Sequence, residues 1–168
     1  MTLLTGTAHV YGDNIDTDRI IPGKYTKTLD ISHLADHVLE DLDPDFRARV
    51  QTGDILVAGE NFGCGSSREQ APVAIKAVGI TAVVASSFAR IFFRNAINIG
   101  LPVVEIGEHN IGMGDVVEVD LENGRVVNTT SNQKFEATRM PDVMIHILHA
   151  GGLVNYLKEN GNYQMSGE

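Results

Sequence analysis

DILVAGENFGCGSSREQAPVAIKAVGITAVVA, residues 54–85, decides the fold. It opens on a short apolar run, 54–58, and passes through a loop rich in glycine and serine. It then places Ala71, Ala74, Ile75 and Val78 on one helical face, stops at Gly79, and closes on a second apolar run, 81–85. Apolar runs without polar alternation suit strands covered on both faces. Two such runs joined by a helix predict adjacent parallel strands with a right-handed crossover. The pattern repeats downstream. Ser87 can cap a helix running to about Ile99, which Gly100 and Pro102 end, and residues 103–106 read as a strand.

Working outward, residues 2–11 predict a first strand with a bulge at Gly6, followed by a turn at Gly12, Asp13 and Asn14. Helical spacing covers 31–40, and Pro44 starts a short helix to about Val50. Beyond Gly114, residues 116–121 and 125–129 alternate around a turn at 122–124, with a third short strand at 132–135. Two closing helices fill 141–159, broken at Gly151 and Gly152, and the tail from 161 to 168 is expected to be loose. The expectation is one α/β domain over 1–168, with a mixed, partly parallel sheet and flanking helices.

The formal charge of −9 argues against nucleic acid and anionic membranes as partners. There is no apolar run of about 18 residues and no signal-peptide pattern at the start. Cys64 is the single cysteine, so no internal disulfide forms. A cytoplasmic protein is expected.

The loop at 59–70, GENFGCGSSREQ, sits between strand and helix. Hydroxyls, backbone N–H groups and the Arg68 guanidinium at a helix entrance suit an anionic small molecule. Ser66 with Glu69, and Ser67 with Gln70, both match the capping-box spacing. The same residues also suit a capped turn without chemistry. Pro72 lies beyond the first turn of a helix begun at either serine, so residues 66–68 are expected on a separate turn. The loop lacks the Gly-Lys-Ser/Thr of a phosphate-binding P-loop. It also lacks the third glycine of a dinucleotide fingerprint. A second polar stretch, GDNIDTDRIIPGKYTKT (12–28), fails the calcium-loop pattern because Asp18 and Lys24 stand where glycine and glutamate belong. Alone, it reads as an Asp-rich turn bonding its own backbone.

Together, GDNIDTD (12–18), NFGCGSSRE (61–69) and SFARIFFRN (87–95) resemble the small subunits of aconitase-family dehydratases, a branch that includes those of 3-isopropylmalate dehydratase and homoaconitase. The resemblance covers roughly residues 5–160. It implies a swivelling β/β/α domain that closes over a large subunit carrying a [4Fe–4S] cluster, in a heterodimer or heterotetramer. It implies dehydration and rehydration of a hydroxy-dicarboxylate, foremost isopropylmalate in leucine biosynthesis. Homoaconitate, citramalate or 2,3-dimethylmalate are the alternatives.

By position, the resemblance makes Ser66 the base that removes the carbon-bound proton, and Ser67 and Arg68 the residues that bind substrate carboxylate. It makes Tyr25, Thr26, Lys27 and Thr28 the specificity loop, with Lys27 near the group that distinguishes substrates. Asp16, Asp18, Gly65 and Arg90 are expected to support the site. In particular, Arg90 and Arg94 are expected to pair with Asp16 or Asp18 and brace the two loops. No metal is expected on this chain, because a cluster needs three or four thiolates and Cys64 is alone. Cys64 is expected to be a packed loop residue. His33 and His37, with Glu40, and the pair His146 and His149, read as solvated helix faces rather than metal sites. A stand-alone anion-binding or regulatory module is the reading outside enzymes.

Overall fold

The computed structural model describes residues 3–28 and 30–161. Among these, β1 (Leu3–Val10), β2 (Ile55–Ala58), β3 (Ala82–Ala85), β4 (Val103–Glu105), β5 (Val116–Asp120), β6 (Arg125–Asn128) and β7 (Gln133–Glu136) form one sheet in the order β4-β3-β2-β1-β5-β6-β7. β1 is the junction. Its last residues pair parallel with β2, Ala8 facing Ile55 and Val10 facing Val57. Its first residues pair antiparallel with β5, Leu3 facing Asp120 and Thr7 facing Val116. β2, β3 and β4 continue in parallel, while β5, β6 and β7 form an antiparallel meander. Every residue of β2 and β3 is buried, whereas β5 and β6 alternate between buried and accessible positions. The mixed, partly parallel α/β architecture is therefore as expected, with both sheet faces covered on the parallel side and one on the other.

The helices are α1 (Thr17–Ile20), α2 (Ile31–His37), α3 (Phe46–Arg49), α4 (Gln70–Ala77), α5 (Arg90–Asn98), α6 (Asp142–Ala150) and α7 (Leu153–Asn160). α2 packs on α4, and α5 touches α4, α6 and α7. The break between α6 and α7 falls at Gly151 and Gly152, both at positive φ, as their freedom from a Cβ allows. No helix among the described residues is long and apolar enough to cross a membrane. The tail expected to be loose lies, from residue 162, outside the described residues.

Three expectations need correction. Gly6 makes no bulge, because its register with Val117 is unbroken; it instead admits the Gly53 carbonyl, which would lie 2.1 Å from a Cβ. The helix expected over 31–40 ends at His37. Val38 is extended and Leu39 takes φ +59°, where its N–H reaches the Ile20 carbonyl at 2.8 Å. α5 begins at Arg90 without a side-chain cap, and the Ser87 hydroxyl is used elsewhere.

An unanticipated polar network ties β1 to the segment before β2. Buried His9 bonds through Nε2 to Asp54 at 2.7 Å, while its Nδ1 accepts from Arg49 Nε at 3.3 Å. Arg49 also bonds Asp43 at 2.6 Å, and the Tyr11 hydroxyl donates to Asp43 at 2.7 Å. Burial, then the Asp43 carboxylate, pushes the Tyr11 phenol up, which keeps it a donor.

Gly6→Ala is expected to destabilise the chain by about 1–3 kcal/mol in urea unfolding, the usual cost of overpacking. Gly12→Ala, where a Cβ meets nothing within 4 Å, should stay within about 0.5 kcal/mol of wild type. Equal losses would show that the Gly53 contact is not the constraint.

Candidate active site

The loops that follow β1, β2 and β3 leave the same ends of three parallel strands, the carboxyl ends where open α/β sheets place ligands. Their backbones stay paired beyond the strands. Gly59 N–H bonds the Gly12 carbonyl at 3.0 Å, Asn14 N–H the Glu60 carbonyl at 2.8 Å, Gly63 N–H the Ile15 carbonyl at 2.8 Å, and Thr17 N–H the Cys64 carbonyl at 2.9 Å. On the other side, Phe62 N–H bonds the Ser87 carbonyl at 3.1 Å and Ala89 N–H the Phe62 carbonyl at 2.9 Å. Side chains complete the lacing. Asp13 accepts from Glu60 N–H at 2.7 Å, Ser87 from Asn61 N–H at 2.8 Å, and Asn14 Oδ1 from Asn61 Nδ2 at 3.1 Å. Asn14 and Asn61 both lie at positive φ, a region asparagine tolerates better than most residues. The three motifs thus form one continuous platform.

Gly63 is held by space as well as by backbone conformation. At φ +85° its missing Cβ would lie 2.3 Å from the Phe92 ring, which meets Phe62 edge-on at 5.1 Å. The chain then turns out at Gly65, φ +91°, and residues 66–68 form their own short turn, closed by Arg68 N–H on the Ser66 carbonyl at 2.9 Å. α4 starts only at Gln70, so Pro72 falls in its first turn, where no backbone donor is needed. The separate turn is as expected. The capping boxes are not formed: α4 has no side-chain cap, and its N-cap residue is Glu69. Ser66 and Ser67 are exposed, and their hydroxyls bond nothing among the described residues.

Arg68 lies 25% exposed across this turn. Its Nη1 donates to Asp18 and, at 3.4 Å, to the Ile21 carbonyl. A Cβ on Gly23 would press within 3.0 Å of its Nη2, so glycine there leaves room for the guanidinium. Asp16 accepts from Arg19 N–H at 2.9 Å and caps α1, beneath Gly65. Asp16 is therefore taken up by its own helix and Asp18 by Arg68, and the expected pairing with Arg90 or Arg94 does not occur. Those arginines are exposed and have no partner among the described residues. Cys64 is partly buried, its carbonyl fixed by Thr17.

The expected specificity loop splits into held and open parts. The Tyr25 hydroxyl donates to Glu40 at 2.6 Å, and its ring stacks on His37 at 3.9 Å between centroids, 6° from parallel. His37 Nδ1 meets the other Glu40 oxygen at 2.6 Å, and the His33 ring stands edge-on to Tyr25 at 5.5 Å. The bond to Glu40 pushes the phenol up, chiefly because the carboxylate favours its neutral form. Burial pushes Glu40 up, but the bonds from Tyr25 and His37 outweigh it and hold the carboxyl below its usual range. The reading of His33, His37 and Glu40 as a plain solvated face is thus corrected. The i, i+4 spacing was visible, but Tyr25 comes from another element. Gln70 was also misjudged: its Nε2 donates to the Thr26 carbonyl at 3.2 Å and ties the loop to α4. Thr28 Oγ1 accepts from Asp30 N–H at 3.0 Å. Lys27 is exposed and bonds nothing among the described residues.

No group of three or more potential metal ligands occurs among the described residues. A concavity of about 700 Å³ lies beside the Thr52–Gly53 and Gly100–Pro102 turns, at the opposite ends of the parallel strands, and contains none of the candidate residues.

The model of the aconitase C-terminal domain matches residues 27–109. The 3-isopropylmalate dehydratase small subunit of Caldicellulosiruptor bescii is 58% identical over 158 residues, covering 93% of this chain and 95% of that protein. The small subunit 1 of Methanopyrus kandleri is 52% identical, covering 95% of each. The crystal structure of 3-isopropylmalate dehydratase from Methanocaldococcus jannaschii superposes with a TM-score of 0.91 at 50% identity, covering 95% of this chain and 96% of that one. Identity of this order along nearly the whole of both chains, on the same fold, leaves one conclusion: the chain belongs to the aconitase-family 3-isopropylmalate dehydratase small subunits.

Proposed function

We propose that this chain is the cluster-free half of a two-chain hydro-lyase that isomerises isopropylmalate by dehydration and rehydration. The observation that carries the reading is the exposed turn of Ser66, Ser67 and Arg68 on the laced platform, in a chain whose relatives bear the name of that enzyme. Residues 1–168 act as one swivelling unit that closes over a large subunit. The protein works in the cytoplasm, where its lone thiol needs no disulfide partner.

A [4Fe–4S] cluster would supply Lewis-acid activation of the substrate hydroxyl, and Cys64 alone does not fit as its holder, so it belongs to the large subunit. This chain's part is binding and proton transfer. Nη1 of Arg68 is occupied by Asp18, and its remaining donors are open to a carboxylate. Ser67 can add a hydroxyl donor to the same group. The Ser66 oxygen, as the alkoxide, takes the carbon-bound proton. The C–H electron pair becomes the new double bond as the neighbouring carbon loses hydroxide, which would depart as water after taking a proton from an acid on the large subunit's side of the site. In rehydration the Ser66 hydroxyl gives its proton to the carbon that lost the hydroxyl, which restores the alkoxide, while water adds to the carbon that lost the proton and returns its own proton to the acid that protonated the leaving hydroxide. A serine alkoxide is a strong base that persists only beside donors in a dry site, and Arg68 with the N–H groups of the turn are the donors at hand.

Ser66→Ala should lower kcat of the anaerobically reconstituted pair by about 10²–10⁴-fold or more. Its thermal midpoint should not move, since the hydroxyl bonds nothing among the described residues. Near-normal kcat would remove Ser66 as the base.

The free ammonium of Lys27 favours a second reading, in which the substrate carries an additional carboxylate in place of an alkyl group. Alternatively, its stem lines an alkyl group while the charge reaches solvent. Wild type and Lys27→Val should be compared on isopropylmalate, homoaconitate, citramalate and 2,3-dimethylmalate. Lys27→Val is expected to shift kcat/KM towards isopropylmalate by about 10-fold or more relative to homoaconitate. Unchanged ratios would take Lys27 out of substrate selection.

A further inference from the structure

The specificity loop is attached to the body at two points, the Tyr25 side chain and the Thr26 carbonyl. The first is Tyr25. Its ring is stacked on His37 at 3.9 Å, flanked edge-on by His33, and covered by Lys24 Nζ at 5.2 Å from the centroid. Its hydroxyl and His37 Nδ1 share the two oxygens of Glu40, each at 2.6 Å. The second is the Thr26 carbonyl, held by Gln70 from the start of α4. Leading into them, a 3₁₀ turn over Gly23–Tyr25 is closed by Tyr25 N–H on the Pro22 carbonyl at 3.0 Å and Thr26 N–H on the Gly23 carbonyl at 3.2 Å. Gly23 lies against the Arg68 guanidinium. One rigid segment therefore connects α2, the Arg68 side chain and the residue just before Lys27. Rotation of Tyr25 would shift both the residue proposed to select the substrate and the packing around the one proposed to bind its carboxylate.

We propose that Tyr25, His37 and Glu40 form a clamp that positions the substrate-selecting loop. They are positioning residues, acting through Lys27 and Arg68 without touching substrate. The proposal rests on the functional reading above for what the loop selects, but not for the clamp itself. An aromatic stack of this kind contributes beyond its buried area, and its loss loosens a loop whose placement enters binding before chemistry.

The test uses His37→Ala, which removes the stack, His37→Phe, which restores a ring, and Tyr25→Phe, which keeps the stack and removes the bond to Glu40. In the reconstituted pair, His37→Ala should raise KM for isopropylmalate about tenfold with kcat within about twofold. His37→Phe should return KM to near the wild-type value, and Tyr25→Phe should fall between. In the isolated full-length chain, the amides of Tyr25 and Thr26 should exchange with deuterium about tenfold faster in His37→Ala and return to the wild-type rate in His37→Phe. Unchanged exchange, or a loss of thermal midpoint and kcat that His37→Phe does not restore, would overturn the clamp. If the wild-type pair fails to turn over isopropylmalate, the functional reading fails, and the exchange rates alone decide the clamp.

Discussion

The candidate site depends on backbone pairing that does not stop where the strands stop. β1, β2 and β3 end in loops, yet residues 12–17, 59–64 and 86–89 keep exchanging hydrogen bonds side by side. The middle segment is bonded on both edges. Gly59 shows how little room this leaves, since a Cβ there would lie 1.9 Å from the Asp13 carboxylate that caps Glu60. A loop paired in this way loses little further freedom when it binds a ligand, so its residues are presented rather than merely tethered. The aromatic contacts of Phe62 with Phe88 and Phe92 support it from below.

Charge at the site works against the molecule as a whole. With a formal charge of −9, an anion is drawn only to a local arrangement of cations. Arg68 supplies one, and Asp18 holds it. Asp18 is 64% exposed, and pairs this open contribute little to stability. Its effect is orientation: Nη1 is fixed by Asp18 and the Ile21 carbonyl. An arginine without such a partner would have to surrender several rotatable bonds on binding.

Most of the scaffold was legible in the sequence because burial dictates it. The unbroken apolar runs of β2 and β3, the alternation in β5 and β6, and the glycine pair at 151 and 152 each carry a local physical signal. Pro72 was equally informative, since its missing N–H is tolerated only in a first turn, which pushes α4 away from the serines. What failed involved competition between local and distant partners. Ser87 is a good cap by its neighbours, but its hydroxyl is taken by Asn61, 26 residues away. Asp16 and Asp18 were assigned to Arg90 and Arg94, yet a short helix needed a cap and Arg68 lay nearer. Leu39 takes a left-handed turn because the Ile20 carbonyl is there to receive its N–H, which no residue near Leu39 announces. The chemical role of Ser66 came from the resemblance of three motifs taken together. Spacing alone allowed an inert capped turn.

The position of Ser66 bears on how it would be activated. A helix terminus acts within about one turn, and α4 begins four residues after Ser66, behind Glu69, whose carboxylate opposes an anion. The helix is therefore a weak source of help, and the burden falls on Arg68 and on the donors of the turn itself. In water these too are weak: two unit charges at 4 Å attract by about 1 kcal/mol in bulk solvent and about 4 kcal/mol at an effective dielectric constant of 20. An exposed serine beside a partly buried guanidinium would accordingly become a base only after another surface had displaced the solvent. On this reading the exposure of Ser66 and Ser67 is a requirement of the design. On the proposed function, the approach of a large subunit would both dry this half of the site and complete it.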